Sequence, residues 1–385
     1  DAYGGKTIAN INCDGTFNAI GTEDEPIEMY PGVGFENLCV EIAGDGVETL
    51  KYCKIINPRL GYIGKDTKKP ISLVDHCELV QNVDSMRSRY NENGLVHSTP
   101  YDFVDLINII TLSNSIVQGL RTSSSKYIDS NDLKYIRIDI KNINNSLFEG
   151  CSVLMGRPYS HCPYELSSEK TVYIAGKSGR VGAMAEFYNG GCFNKNAVLN
   201  PVLNNNIGTW YKLQASPYNV QSTANDAANN YWGTENKTLI NKMIIDADDF
   251  PGTYQDIIED PILTLDSPSL AEIYPFVTKV YLTDNDGNII SNVTSGETYN
   301  VHVLFNRDMD TETQPTVTYG GDTPYTDYSV NGDFVSAREW VGTTKISPVL
   351  TGGTMYWRTK GGCAADDKWL VCGEDVLRFC FTIGT

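Results

Sequence analysis

The 385-residue chain has no uninterrupted apolar run of the roughly 18 residues that a spanning helix requires, so nothing in it is expected to cross a membrane. It is short of basic side chains, with 30 Lys and Arg against 48 Asp and Glu and a formal net charge of −18. A surface of that sign repels polyanions at long range and excludes a nucleic-acid binder. Histidine is scarce: His76, His97, His161 and His302 show no ligand spacing. No two cysteines are as close as the C-x-x-C pairs that hold zinc. The G-x-S-x-G elbow, the phosphate loop and the dinucleotide fingerprint are also missing, which removes the commonest hydrolase and nucleotide signatures. The start, Asp1-Ala2-Tyr3-Gly4-Gly5, has neither the charged nor the apolar region of a secretory signal, so any such signal is expected to have been removed or to lie outside this sequence. Helical pattern is nearly absent: residues 239–245, with Thr238 as cap, are the only moderately helical stretch.

Cysteine itself is plentiful, at positions 13, 39, 53, 77, 151, 162, 192, 363, 372 and 380. With sequons at Asn144, Asn236 and Asn292, ten thiols point to an oxidising, extracytoplasmic compartment. The alternative is that several are buried thiols packed as small apolar side chains. Cys363 and Cys372 flank a turn between two strand-like runs and are the pair most readily bridged; Cys151 and Cys162 are a second candidate pair. Seven cysteines fall in the first part of the chain and three in the second, so each part has an odd number.

A recurring template organises the first 200 residues. Around Cys53, Cys77, Asn114 and Asn144-Asn145, a Cys or Asn is followed two positions on by an aliphatic residue and then by Asn or Gly. Gly191-Cys192-Phe193-Asn194 reads as a fifth, weaker copy. The spacings of about 24 to 37 residues suit stacked parallel strands that bury one inward aliphatic residue each, with Asn or Gly turning the chain. Residues 251–275, with Pro251, Pro261, Pro268 and Pro275, read as a linker. Beyond Tyr274 the pattern becomes alternating strands with hairpin turns, about seven in roughly 110 residues, which fits a sandwich. The expected fold is therefore all-β: a parallel β solenoid over residues 1–265, with a closing cap, and an Ig-like β-sandwich over 266–385.

Two stretches bear a family resemblance. Asn229-Asn230-Tyr231-Trp232-Gly233-Thr234, followed by Ile240, Met243-Ile244 and Asp246, resembles the closing coil of secreted right-handed parallel β-helix repeat proteins, and Asp14-Gly15-Thr16-Phe17-Asn18-Ala19-Ile20 is similar to their opening coil. Phe305-Asn306-Arg307-Asp308-Met309-Asp310-Thr311, with Pro315, resembles the bacterial Ig-like domains of large surface proteins. The resemblance implies a secreted, multimodular, mostly non-catalytic surface protein, and some β-helix relatives are polysaccharide lyases, epimerases or hydrolases. The last residues read as a final sandwich strand, which suggests a piece of something longer.

The search for chemistry yields three candidate sets. Arg137, Asp139 and Lys141 alternate with Ile136, Ile138 and Ile140 and share an outer face; a lyase would need such cations beside an acidic sugar, and the plainer alternative is a solvated charge ladder. Asp246, Asp248 and Asp249 form either turn and cap chemistry or a calcium site of closely spaced carboxylates. Asp284-Asn285-Asp286-Gly287 starts like a calcium loop but has Ser295 where the twelfth-position Glu belongs, so a hairpin turn is expected.

Recognition chemistry is better supplied. Twenty-three tyrosines and five tryptophans offer flat faces for sugar rings. Arg157, Tyr159, His161 and Tyr164 lie in a loop between repeats and are the candidate ligand-binding set. The function expected is a non-catalytic binding or scaffold module of a larger extracellular protein, recognising a polysaccharide or a partner protein domain in the manner of an adhesin or scaffold. The alternative is a polysaccharide-active enzyme, lyase or glycoside hydrolase, using the outer groove of the solenoid. No cofactor is expected beyond structural calcium at the Asp246 cluster.

Overall fold

The computed structural model describes residues 9–13, 15–30, 40–44, 47–60, 70–81, 105–119, 138–149, 153–156, 167–174, 182–188, 192–199, 210–215, 225–249, 251, 256–322, 324–373, 375 and 379–384. These are almost all strand or turn and divide into two compact units, one ending at Leu263 and the other beginning its C-terminal run at Thr264.

The first unit is a parallel-strand repeat built from three sheets. The first sheet includes Ala9–Cys13, Val40–Gly44, Pro58–Leu60, Asp105–Ser113, Ile138–Asn144, Ser167–Glu169, Cys192–Asn194, Asn225–Asp226 and Ile257–Ile258 in that spatial order. The long strand Asp105–Ser113 pairs through its first residues with Pro58–Leu60 and through its last with Ile71–Asp75. The second sheet runs Ile27–Met29, Cys53–Ile56, Glu78–Gln81, Ile116–Gly119, Leu147–Glu149, Val172–Ile174 and Ala197–Leu199. The third holds Val153–Gly156, Gly182–Tyr188, Trp210–Ala215 and Ile244–Ile245.

Strand alternation explains the core. In the second sheet Ile55, Leu79, Val117, Phe148, Tyr173 and Val198 stand in register on successive strands, and all are buried. In the first, Ala19, Leu50, Val74, Leu112, Ile143, Ser168 and Phe193 form the facing row. The one polar member finds a partner inside: Ser168 Oγ lies 2.7 Å from the Tyr173 hydroxyl. Phe148 stacks on Tyr173 at 5.3 Å between centroids.

Between the first and second sheets the chain turns through one left-handed residue per repeat: Tyr52, His76, Asn114, Asn145, Lys170, Lys195 and Asn229, with φ between 43° and 57°. Such a conformation costs a non-glycine residue about 1–2 kcal/mol. It is held because each bend amide donates to a carbonyl of the next repeat, from Tyr52 N to Asp75 O at 3.1 Å through Lys195 N to Asn229 O at 2.8 Å.

The residue after each bend points inward and is buried: Cys53, Cys77, Ser115, Ser146, Thr171, Asn196 and Asn230. From Cys77 onward these side chains make a second ladder. The Cys77 amide donates to Ser115 Oγ, Ser115 to Ser146 Oγ, Ser146 to Thr171 Oγ1, Thr171 to Asn196 Oδ1 and Asn196 to Asn230 Oδ1, at 2.8–3.4 Å. This register corrects the sequence template: Asn114 and Asn145 belong to the bend column with Tyr52 and His76, while Cys53 and Cys77 belong to the inner column. Lys170-Thr171 is a repeat the template overlooked, and Cys192 sits in a first-sheet strand rather than at a bend.

The expected helix forms earlier than its pattern suggested, over Lys237–Asn241. Asn236 caps it, its side chain accepting from the Thr238 and Leu239 amides, and the helix buries Ile240. Trp232 and Tyr231 are buried nearby in the chain, as expected of core residues.

In the C-terminal unit a nine-stranded arrangement, antiparallel except where Asn292–Val293 runs parallel to Cys380–Ile383, surrounds a separate core of Val301, Val303, Tyr319, Trp340, Trp357 and Phe381. Trp340 lies against the paired Gly332 and Gly342, where a Cβ on Gly342 would come 2.7 Å from Val330 Cγ1. Asp284 forms the expected turn, its Oδ1 accepting from the amides of Asp286 and Asn288 at 2.9 and 2.8 Å. The Phe305-Asn306-Arg307 motif has a structural use: Asn306 accepts from the Phe276 amide at 2.7 Å and donates to Leu270 O at 2.9 Å, and Arg307 pairs with Asp366.

Candidate functional site

The sequence-derived candidates are only partly within view. Arg137, Arg157, Tyr159, His161, Tyr164, Cys151 and Cys162 lie outside the described residues. Asp139 belongs to the strand Ile138–Asn144, with its side chain outside the described residues, and Lys141 on that strand is exposed. Asp246 is buried and its oxygens accept from the amides of Asp248 at 3.1 Å and Ile257 at 3.2 Å, while Asp248 and Asp249 are exposed. Burial pushes the Asp246 carboxyl up, against those two amides. The geometry is that of a turn, and among the described residues no three His, Cys, Asp or Glu side chains gather where they could share a metal ion. Cys363 pairs with Val371 across a short hairpin, and the next residue, Cys372, bonds through its amide to Gly362 O at 2.8 Å, so the two cysteines sit on facing strands at the same end.

A different constellation converges at the bend. Asp75 ends a first-sheet strand, His76 is the left-handed residue after it, Lys51 and Tyr52 are their counterparts one repeat earlier, and Ser113 and Asn114 those one repeat later. One Asp75 oxygen accepts from Ser113 Oγ at 2.8 Å and Asn114 Nδ2 at 2.9 Å. The other lies 2.9 Å from His76 Nδ1 and 3.3 Å from Lys51 Nζ. Burial alone would push this carboxyl up, but His76, Ser113 and Asn114 outweigh it and hold Asp75 well below the usual carboxylate range. The Tyr52 ring stands 4.8 Å from the imidazole and 5.2 Å from Lys51 Nζ, within cation–π range. Asn145 Nδ2 extends the network to Asn114 Oδ1 at 2.9 Å.

Sequence reasoning missed this cluster because it searched for partners a few residues apart, whereas stacking supplies them from the neighbouring repeats. A usable signal was present: Lys51-Tyr52 and Asp75-His76 occupy the same template position, 24 residues apart.

Chemically, the arrangement favours binding over proton transfer. A carboxylate with both oxygens engaged and its acidity raised makes a poor general base, since that role needs a pKa near the working pH. What it does well is fix an imidazole, an ammonium and an amide beside a phenol ring on rigid backbone.

The C-terminal unit carries a second such grouping. His302 Nδ1 is 2.9 Å from Glu339 Oε1 and its Nε2 3.1 Å from Thr283 Oγ1, and the ring stacks on Tyr281 at 4.6 Å with Lys279 over the far ring. Burial and Glu339 together push the Tyr281 hydroxyl up.

No family model, curated protein or solved structure matches this chain.

Proposed function

We propose that this chain is a non-catalytic extracellular binding or scaffold module of a larger secreted or cell-surface protein, and that it recognises a glycan or a partner protein domain through Lys51, Tyr52, His76 and Asn114. In this reading the first unit is a right-handed parallel β-helix with a closing cap and the second an Ig-like sandwich. Three parallel sheets with one bend column support the first assignment.

Strand order supports the second. Apart from the short edge strands and the separate hairpin that holds Asp367–Val371, the strands in chain order are Val277–Thr283, Thr298–Phe305, Thr316–Gly320, Tyr328–Ser336, Glu339–Lys345, Gly353–Lys360 and Cys380–Ile383. The first, second, fifth and fourth are successive neighbours, as are the third, sixth and seventh, which matches the strand order within each sheet of an Ig constant-type domain; here the third and fourth also pair and join the two runs.

The observation that carries the functional reading is Asp75. Its oxygens lie against His76, Lys51, Ser113 and Asn114, which leaves Asp75 itself poorly suited to act as a base. Aromatic faces, an amide and an ammonium at fixed positions suit hydroxyl-rich or polar ligands. The test is a screen of the purified chain against plant and host polysaccharides and extracellular proteins. The expected result is a retained ligand of unchanged size, with Tyr52→Ala and His76→Ala each weakening binding about tenfold. Turnover of any polysaccharide would overturn the proposal in favour of the enzyme alternative.

A further inference from the structure

The inner column changes chemistry at its N-terminal end. Five of its rungs, Ser115, Ser146, Thr171, Asn196 and Asn230, use oxygen or nitrogen, and the first two, Cys53 and Cys77, use sulfur. The residues after them, Lys54 and Glu78, are paired in register on neighbouring parallel strands. Such strands lie about 4.7–4.9 Å apart, which falls inside the Cα separation of about 4.4–6.8 Å that a disulfide spans. Both side chains face the core and both are 0 % exposed.

The two sulfurs also meet the same kind of group: Cys53 Sγ points at Lys51 O and Ala19 O at 3.4 and 3.5 Å, and Cys77 Sγ at Asp75 O and Leu50 O at 3.3 and 3.5 Å. In the structure the two are unbridged. The Cys77 thiol holds the Cys53 pKa below its ordinary value against burial, while burial and then Cys53 push Cys77 well up.

We propose that Cys53 and Cys77 form a disulfide that staples two consecutive repeats, closed by thiol–disulfide exchange with a small-molecule or protein disulfide while the first repeats assemble. The Cys53 thiolate attacks one sulfur of the incoming disulfide, whose S–S bond breaks and whose other half leaves and takes up a proton. The Cys77 thiolate then attacks Cys53 Sγ in the mixed disulfide and expels the second half as thiol. The protein loses two hydrogens and gains one S–S bond, and the incoming disulfide is reduced to two thiols. This inference is independent of the binding proposal.

The test is refolding of the full chain in oxidised and reduced glutathione, followed by alkylation, proteolysis and mass spectrometry. The expected result is a cross-linked peptide pair joining Cys53 and Cys77, lost on reduction, and a melting temperature about 5–10 °C higher in the oxidised form. Ser occupies the same rung position at Ser115 and Ser146, so Cys53→Ser and Cys77→Ser should fold, and each should abolish the oxidation-dependent rise, while Cys192→Ser should keep it. Recovery of Cys53 and Cys77 as alkylated thiols from the folded, oxidant-treated chain, or their pairing with other cysteines, would overturn the proposal.

Discussion

A carboxylate that accepts from Ser113 and Asn114 and lies against His76 and Lys51 gives its contribution to stability only while ionised. Because the folded chain holds Asp75 below its ordinary value, that contribution is fully present above the unfolded pKa of about 4 and fades as pH falls toward the lower folded value. Asp75→Asn is therefore expected to lower stability at neutral pH and to flatten the acid limb of a stability–pH curve; an unchanged acid limb would contradict the role given to Asp75. At Gly342 the constraint is space. A methyl there would press into the Trp340 ring and Val330, so Gly342→Ala should cost about 1–3 kcal/mol in urea unfolding.

At the scale of the element, the inner ladder does more to define the repeat than any one strand. Ser146 Oγ accepts from the Ser115 amide and donates to Asn144 O at 2.8 Å, in a site closed to water. Ser146→Ala leaves that amide buried without its acceptor and should cost about 1–3 kcal/mol, measurable as a lower urea midpoint. The ladder also explains what the sequence disclosed and what it withheld. The aliphatic row was legible at Ile55 and Leu79 because burial demands apolar residues at a fixed place after each bend, but in the next repeat the template pointed to Ile116, one residue before the buried Val117. The bend column was not, because Tyr52, His76, Lys170 and Lys195 have no intrinsic preference for the left-handed region and take it only when the next repeat supplies a carbonyl. For the same reason the Asp75 cluster was invisible: its members meet only after stacking, and in the chain they are up to 63 residues apart, from Lys51 to Asn114.

On the scale of the whole molecule, each unit has its own buried core, and the C-terminal one encloses Trp340, Trp357, Tyr319 and Phe381. A fragment of residues 264–385 is accordingly expected to unfold cooperatively by itself with intact near-ultraviolet circular dichroism; a fragment without tertiary signal would show that its core depends on the rest of the chain. The charge of −18 acquires a more specific meaning as well. Within an acidic molecule, Lys51 and Asp75 form a locally balanced ion pair beside an aromatic ring. The measurement that tests the account most directly is hydrogen exchange of the intact chain with and without the ligand recovered from the binding screen. The account predicts protection confined to peptides covering residues 47–57, 71–81 and 109–119, lost in His76→Ala, with the ligand recovered intact. Protection centred instead on residues 156–164 or on the outer face at Lys141, or a ligand recovered in pieces, would contradict it.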